Sequence, residues 1–97
     1  MTFAEFKASL GASSPGKTLS APLRAMWWAG KGDWDAAHKI AQDEHSADGA
    51  WVHAYLHRVE GDIPNARYWY GQAGKPPRND ELAAEWQAIS EALFSAR

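Results

Sequence analysis

The chain has 97 residues, 45% of them apolar and 23% charged, with a mean hydropathy of −0.52. That balance fits one small soluble domain and excludes a second hydrophobic core or a disordered tract. Ten Lys and Arg against 12 Asp and Glu leave a net charge of −2, which argues against a nucleic-acid footprint, and no run approaches the roughly 18 apolar residues of a membrane span. The absence of cysteine removes disulfides, thiolate zinc sites and thiol nucleophiles.

Phe3, Phe6 and Leu10 recur at helical spacing and predict a short amphipathic N-terminal helix. Glu5 and Lys7 stand where a signal peptide would need an apolar run, so a cytoplasmic location is expected. Gly11-Ala12-Ser13-Ser14-Pro15-Gly16-Lys17-Thr18 comes next and is a loop by composition. Its letters match Gly-x4-Gly-Lys-Ser/Thr, the loop that cradles nucleotide phosphates on backbone amides. That chemistry needs a strand before the loop and a helix beginning at the lysine. Helical spacing precedes it here and Pro22 interrupts the segment after Lys17, so nucleotide binding at 11–18 is the weakest of the functional readings.

The next segment contains itself twice. At a constant offset of 29 residues, Ala25 falls on Ala54, Gly32-Asp33 on Gly61-Asp62 and Ala37 on Ala66. Leu23, Trp34, Ile40 and Ala41 fall on Val52, Ile63, Trp69 and Tyr70. Each copy reads as helix, Gly-Asp turn, helix. The glycine can adopt the left-handed conformation that ends one helix, and the aspartate can accept from the free amides that begin the next. Pro64 sits near a helix start, where a missing N–H costs little. Trp34, Ala37, Ile40 and Ala41 share one stripe, as do Ile63, Ala66, Trp69, Tyr70 and Ala73. Trp51, Val52, Tyr55, Leu56 and Val59 make a broad apolar side on the helix before Gly61, wide enough for contacts on two sides.

These features resemble the tetratricopeptide repeat family of helix-turn-helix solenoids. Gly32-Asp33-Trp34-x-x-Ala37 and Gly61-Asp62-Ile63-x-x-Ala66-x-x-x-Tyr70-x-x-Ala73 are similar to the second half of that repeat, and Ala25, Ala54 and Trp28 to its first helix. The chain departs from the family in its period, 29 residues against about 34, and in Arg24, His53, Ala41 and Glu44 at positions usually leucine, leucine, aromatic and alanine. The resemblance spans 21–77. It implies a right-handed, solenoid-like array whose groove would be lined by Trp51, Tyr55 and Arg58, with Met26 and Ala29 from the first repeat. The stretch from His53 to Tyr70 also resembles small bacterial proteins that carry no assigned activity.

Gly74-Lys75-Pro76-Pro77-Arg78 ends the second repeat. Asn79 is placed to cap a last helix, with Leu82, Trp86, Ile89 and Leu93 as its seam and Glu81 and Glu85 near its positive end. Two repeats cannot cover their own ends, so the flanking helices are expected to act as caps. The expectation is one all-α domain over 1–97 with six helices: an N-terminal capping helix and loop over 1–20, two hairpins over 21–77 and a C-terminal capping helix over 78–97.

Two features carry possible function. Six Trp and three Tyr exceed what one stripe can bury, so some aromatic surface is expected to serve binding. His53, His57 and Glu60 lie at i, i+4 and i+7, so one helical face offers two imidazoles and a carboxylate at metal-ligand spacing. The favoured reading makes the histidines groove-facing or partly buried and the domain a non-enzymatic protein or peptide interaction module. Its candidate contacts are Trp51, His53, Tyr55, His57 and Arg58, with no catalytic residue, cofactor, metal, nucleic acid or membrane, and self-association as another way to cover the aromatics. The alternative is a small-ligand or metal-binding protein using His53, His57 and Glu60.

Overall fold

Side-chain caps set most of the helix starts. In the computed structural model, which describes residues 1–95, α1 spans Phe3–Ala8 and opens with a reciprocal cap between Thr2 and Glu5. A short 3-10 turn, Ser9–Gly11, comes after it. Helix α2, Ala21–Gly30, begins at Ser20, whose hydroxyl accepts from the Leu23 amide, with Pro22 in its first turn. Helices α3, Trp34–Asp43, and α5, Ile63–Ala73, are capped by the side chains of Asp33 and Asp62. Helix α4, Ala47–Val59, is capped by Ser46, and α6 spans Leu82–Ser95. Gly32 and Gly61 take φ of +83° and +84°, the left-handed geometry each Gly-Asp turn requires.

The all-helical expectation holds: among the described residues there are six α-helices and no strand. None of the helices is long and apolar enough to cross a membrane. The segment that matches a phosphate loop comes after a helix and a 3-10 turn, and the next helix starts only at Ala21. The strand–loop–helix frame of a nucleotide site is therefore missing around it. Asn79 does not cap α6, because that helix begins three residues later and its first turn is closed on the Glu81 carbonyl. Positions 96 and 97 of the expected C-terminal segment lie outside the described residues.

Helices α2 and α3, and α4 and α5, pack as hairpins across their Gly-Asp turns, and α3 packs on α4. Helix α6 lies against α2 and α4, and α1 packs on α6. The terminal helices thus meet on one side of the α2/α4 layer, where the caps of a linear array would stand at opposite ends. Extents of 33 × 25 × 25 Å match that wrapped arrangement.

The main core joins Phe6, Leu23, Met26, Trp27, Val52, Leu56 and Ile89, all essentially inaccessible. A smaller cluster of Ala54, Ala66 and Tyr70 lies between α4 and α5, with Trp51 and Trp69 at its edge. Each large buried side chain contributes about 1.5–3 kcal/mol by leaving water. The indole N–H groups are matched to acceptors: Trp27 donates to Ser9 Oγ at 3.0 Å, Trp34 to the Leu56 carbonyl at 2.7 Å and Trp86 to the Met26 carbonyl at 2.8 Å.

Trp86 reaches Met26 by crossing α2 at Gly30, where a Cβ would stand 2.8 Å from the Trp86 ring and 3.1 Å from Leu10. Gly71, inside α5, has open space at the same point. The two glycines are expected to respond with opposite signs to alanine. Gly71→Ala should stabilise by about 0.5–1 kcal/mol through helix propensity. Gly30→Ala should destabilise by about 1 kcal/mol or more, because displacing Trp86 outweighs that gain. Urea unfolding of both variants measures this, and a stabilised Gly30→Ala would show that the crossing is loose.

Candidate metal centre

The histidines come together because α4 is flanked by α3 on one side and α5 on the other. The turn between α3 and α4 is centred near His45, and His38 and His53 stand seven and eight residues from it, on facing antiparallel helices. Their Nε2 atoms lie 3.0 Å apart. One turn further along α4, His57 stacks on His53 with ring centroids 4.7 Å apart and planes at 21°. One ring nitrogen from each of His38, His53 and His57 lies within 4.8 Å of the other two.

Two tryptophans hold this group in place. His38 stacks on Trp34, one turn before it on α3, at 4.5 Å and 10°. His53 stacks on Trp69 of α5 at 4.0 Å and 15°. Trp34 is itself fixed by its hydrogen bond to the Leu56 carbonyl. Behind the cluster, Glu60 Oε1 lies 2.6 Å from His57 Nδ1. An Nδ1–H donating to that carboxylate leaves the Nε2 lone pair of His57 free.

His53 is 6% and His57 7% exposed, while His38 is half-buried. Burial, followed by the neighbouring His38 and His57, pushes the His53 imidazole down to about 4. Burial, and then His57, lowers His38 as well, against an opposing pull from Glu60 and Asp35. Both rings are therefore neutral at neutral pH and keep a lone pair each, the form in which imidazole binds a metal.

Of the sequence-predicted residues, the structure brings His53, His57 and Glu60 together and adds His38, which the helical-face argument missed because it lies on another helix. His45 is exposed and outside the cluster. The other three candidates point elsewhere. Tyr55 is buried in the main core at 6% exposure, and burial raises its hydroxyl to about 12. Arg58 is turned inward onto Glu85, 2.8 Å away. Trp51 is half-buried with Lys75 Nζ 4.3 Å from its ring centre. Tyr55 and Arg58 are thus engaged within the fold, Tyr55 in the main core and Arg58 with Glu85 of α6.

No protein-family model, curated protein or solved structure matches this chain. The functional reading therefore rests on the residues themselves.

The depressed His53 fixes a pH dependence for the metal-free protein. Between an ordinary imidazole's 6.5 and about 4, the unfolded chain takes up a proton that the folded site, faced by His38 and His57, refuses. Folding stability is present above that window and falls as pH is lowered through it. Urea midpoints should drop from pH 7 to pH 4.5, and the drop should be smaller in His53→Gln. A drop of equal size in the variant would assign the acid sensitivity to other groups.

Proposed function

We propose that this domain binds a divalent transition metal, zinc in the first place, through His38, His53 and His57. The convergence of three imidazole nitrogens within 4.8 Å, drawn from two helices, is the observation that carries the reading. Zn–N bonds of about 2.0–2.1 Å in a tetrahedron set ligand nitrogens about 3.3 Å apart. The 3.0 Å separation of His38 and His53 is close to that edge. Imidazole suits zinc, copper and nickel, and a hard cation such as calcium or magnesium would want oxygen ligands. Glu60 plays the supporting role common behind a ligating histidine, fixing its tautomer and raising its basicity. A set of three protein ligands leaves one tetrahedral position for water or a small ligand.

Metal titration tests this directly. Zinc should bind one per chain by calorimetry, and cobalt should give the intense visible bands of tetrahedral coordination. His38→Ala and His53→Ala should abolish both signals, and Glu60→Gln should weaken affinity about 10–100-fold, with His45→Ala unchanged. His38 is the less buried of the two ligands, so its variant keeps the test readable if His53→Ala fails to fold. Stoichiometric binding that survives His38→Ala would sink the reading.

A second reading, the tetratricopeptide-like interaction module, keeps the support of the repeated Gly-Asp hairpins and of exposed Ile63, Tyr68, Val59 and Leu82. Its surface would be those residues in place of Tyr55 and Arg58. Ile63→Asp and Tyr68→Ala should then weaken association with a partner or a second copy at unchanged helicity, read by sedimentation or pull-down.

A further inference from the structure

Away from the histidines, α4, α5 and the segment before α6 enclose a pocket of about 480 Å³, lined by Arg58, Ile63, Arg67, Tyr70, Pro77 and Arg78 among others. Three arginines line this space, and their charges are not equally balanced. Arg58 is matched by Glu85, a carboxylate with no solvent exposure that also accepts from the Tyr70 hydroxyl at 2.6 Å. Arg58 additionally donates to the Asp80 carbonyl. Its charge is thus used up inside the fold. Arg78 is paired through Nε, at 3.0 Å, and through a second guanidinium nitrogen with Asp80, an exposed carboxylate only two residues away. Arg67 is exposed and makes no ion pair among the described residues.

We propose that this pocket binds a phosphate monoester, with Arg67 and Arg78 as its ligands and Asp80 as a built-in carboxylate that the phosphate displaces. Charge decides the class of anion. With Asp80 swung out, two unbalanced guanidiniums remain, which match a phosphoryl group carrying close to two negative charges. A free monocarboxylate would reproduce only what Asp80 already provides, and a tethered group at high effective concentration outcompetes it. Guanidinium forks bind phosphate oxygens bidentately, so the gain is directional as well as electrostatic. Ile63, Ala66 and Pro77 on the pocket wall give an apolar seat to the organic part of the ester.

The test is a calorimetric titration at low ionic strength with inorganic phosphate, phenyl phosphate and benzoate. Phenyl phosphate should bind saturably and more tightly than inorganic phosphate, with benzoate undetectable on the wild-type chain. Arg67→Ala and Arg78→Ala should each weaken phenyl phosphate about tenfold or more, as loss of a charge-assisted bond predicts. Asp80→Asn should tighten it several-fold, a change in the opposite direction that no loss of fold can produce. Lys39→Ala on α3, outside the pocket, should leave affinity unchanged. The proposal is overturned if phenyl phosphate gives no saturable binding to either the wild type or Asp80→Asn, if Asp80→Asn does not tighten binding, or if Lys39→Ala weakens it as much as Arg67→Ala.

Discussion

The structure depends on the enclosure of α4. Helices α2, α3, α5 and α6 all pack on it, so from Val52 to His57 every side chain is buried. An amphipathic helix at a surface sends its polar residues to water, and between Val52 and His57 α4 has no such face. The imidazoles there must therefore find partners, because a buried polar group without one costs on the order of 1–3 kcal/mol. His53 meets His38, His57 meets Glu60 and Arg58 meets Glu85. The histidine cluster is an outcome of that one requirement.

Much of the local structure was legible in the sequence because it is controlled by nearest neighbours. Gly32-Asp33 and Gly61-Asp62 are turns since glycine alone takes the positive φ cheaply and the following aspartate caps at once. The small residues Ala37 and Ala66 are buried at hairpin contacts as the stripe required. What escaped was pairing between helices. A face argument on α4 alone finds His53, His57 and Glu60 and stops there. Antiparallel register around the two turns would have gone further: counting outward from His45 sets His38 against His53 and Trp34 against His57, and counting from Gly61 sets Trp69 against His53. The observed ring contacts agree with all three pairings.

The position of α6 was not legible in the same way, and its consequences reach furthest. Read as an end cap, it would leave Tyr55 and Arg58 facing a groove and Glu85 near solvent at a helix start. Lying across α2 and α4, it buries Tyr55 and Glu85 and pairs Glu85 with Arg58. The determinants are long-range and specific: Gly30 makes room for the Trp86 ring, Phe6 of α1 stacks against that ring with centroids 5.8 Å apart, and Glu85 receives Arg58 and Tyr70. None of these pairs shares a short sequence spacing, so no periodicity announces them. A pattern of repeated hairpins specifies which helices are neighbours along the chain and leaves open how the flanking segments fold back.

The histidine cluster answers the enclosure of α4 and at the same time fixes three imidazoles around one point. Three imidazoles offer six ring nitrogens, and the described contacts engage three of them: His38 Nε2 and His53 Nε2 with each other, and His57 Nδ1 with Glu60. The other three are not shut away from solvent, and two of the rings are stacked on Trp34 and Trp69. Rings held in fixed planes lose little further freedom when a ligand arrives, so the ordering cost is already met by folding. Metal binding would exchange the single contact between His38 and His53 for coordination to all three rings, with a change of tautomer and a closing of the nitrogens from within 4.8 Å of one another toward the tetrahedral edge of about 3.3 Å. The same depressed basicity that makes the cluster costly in acid keeps its lone pairs open at neutral pH, and that combination of rigidity, neutrality and unfilled bonding capacity is what a metal site needs from its protein.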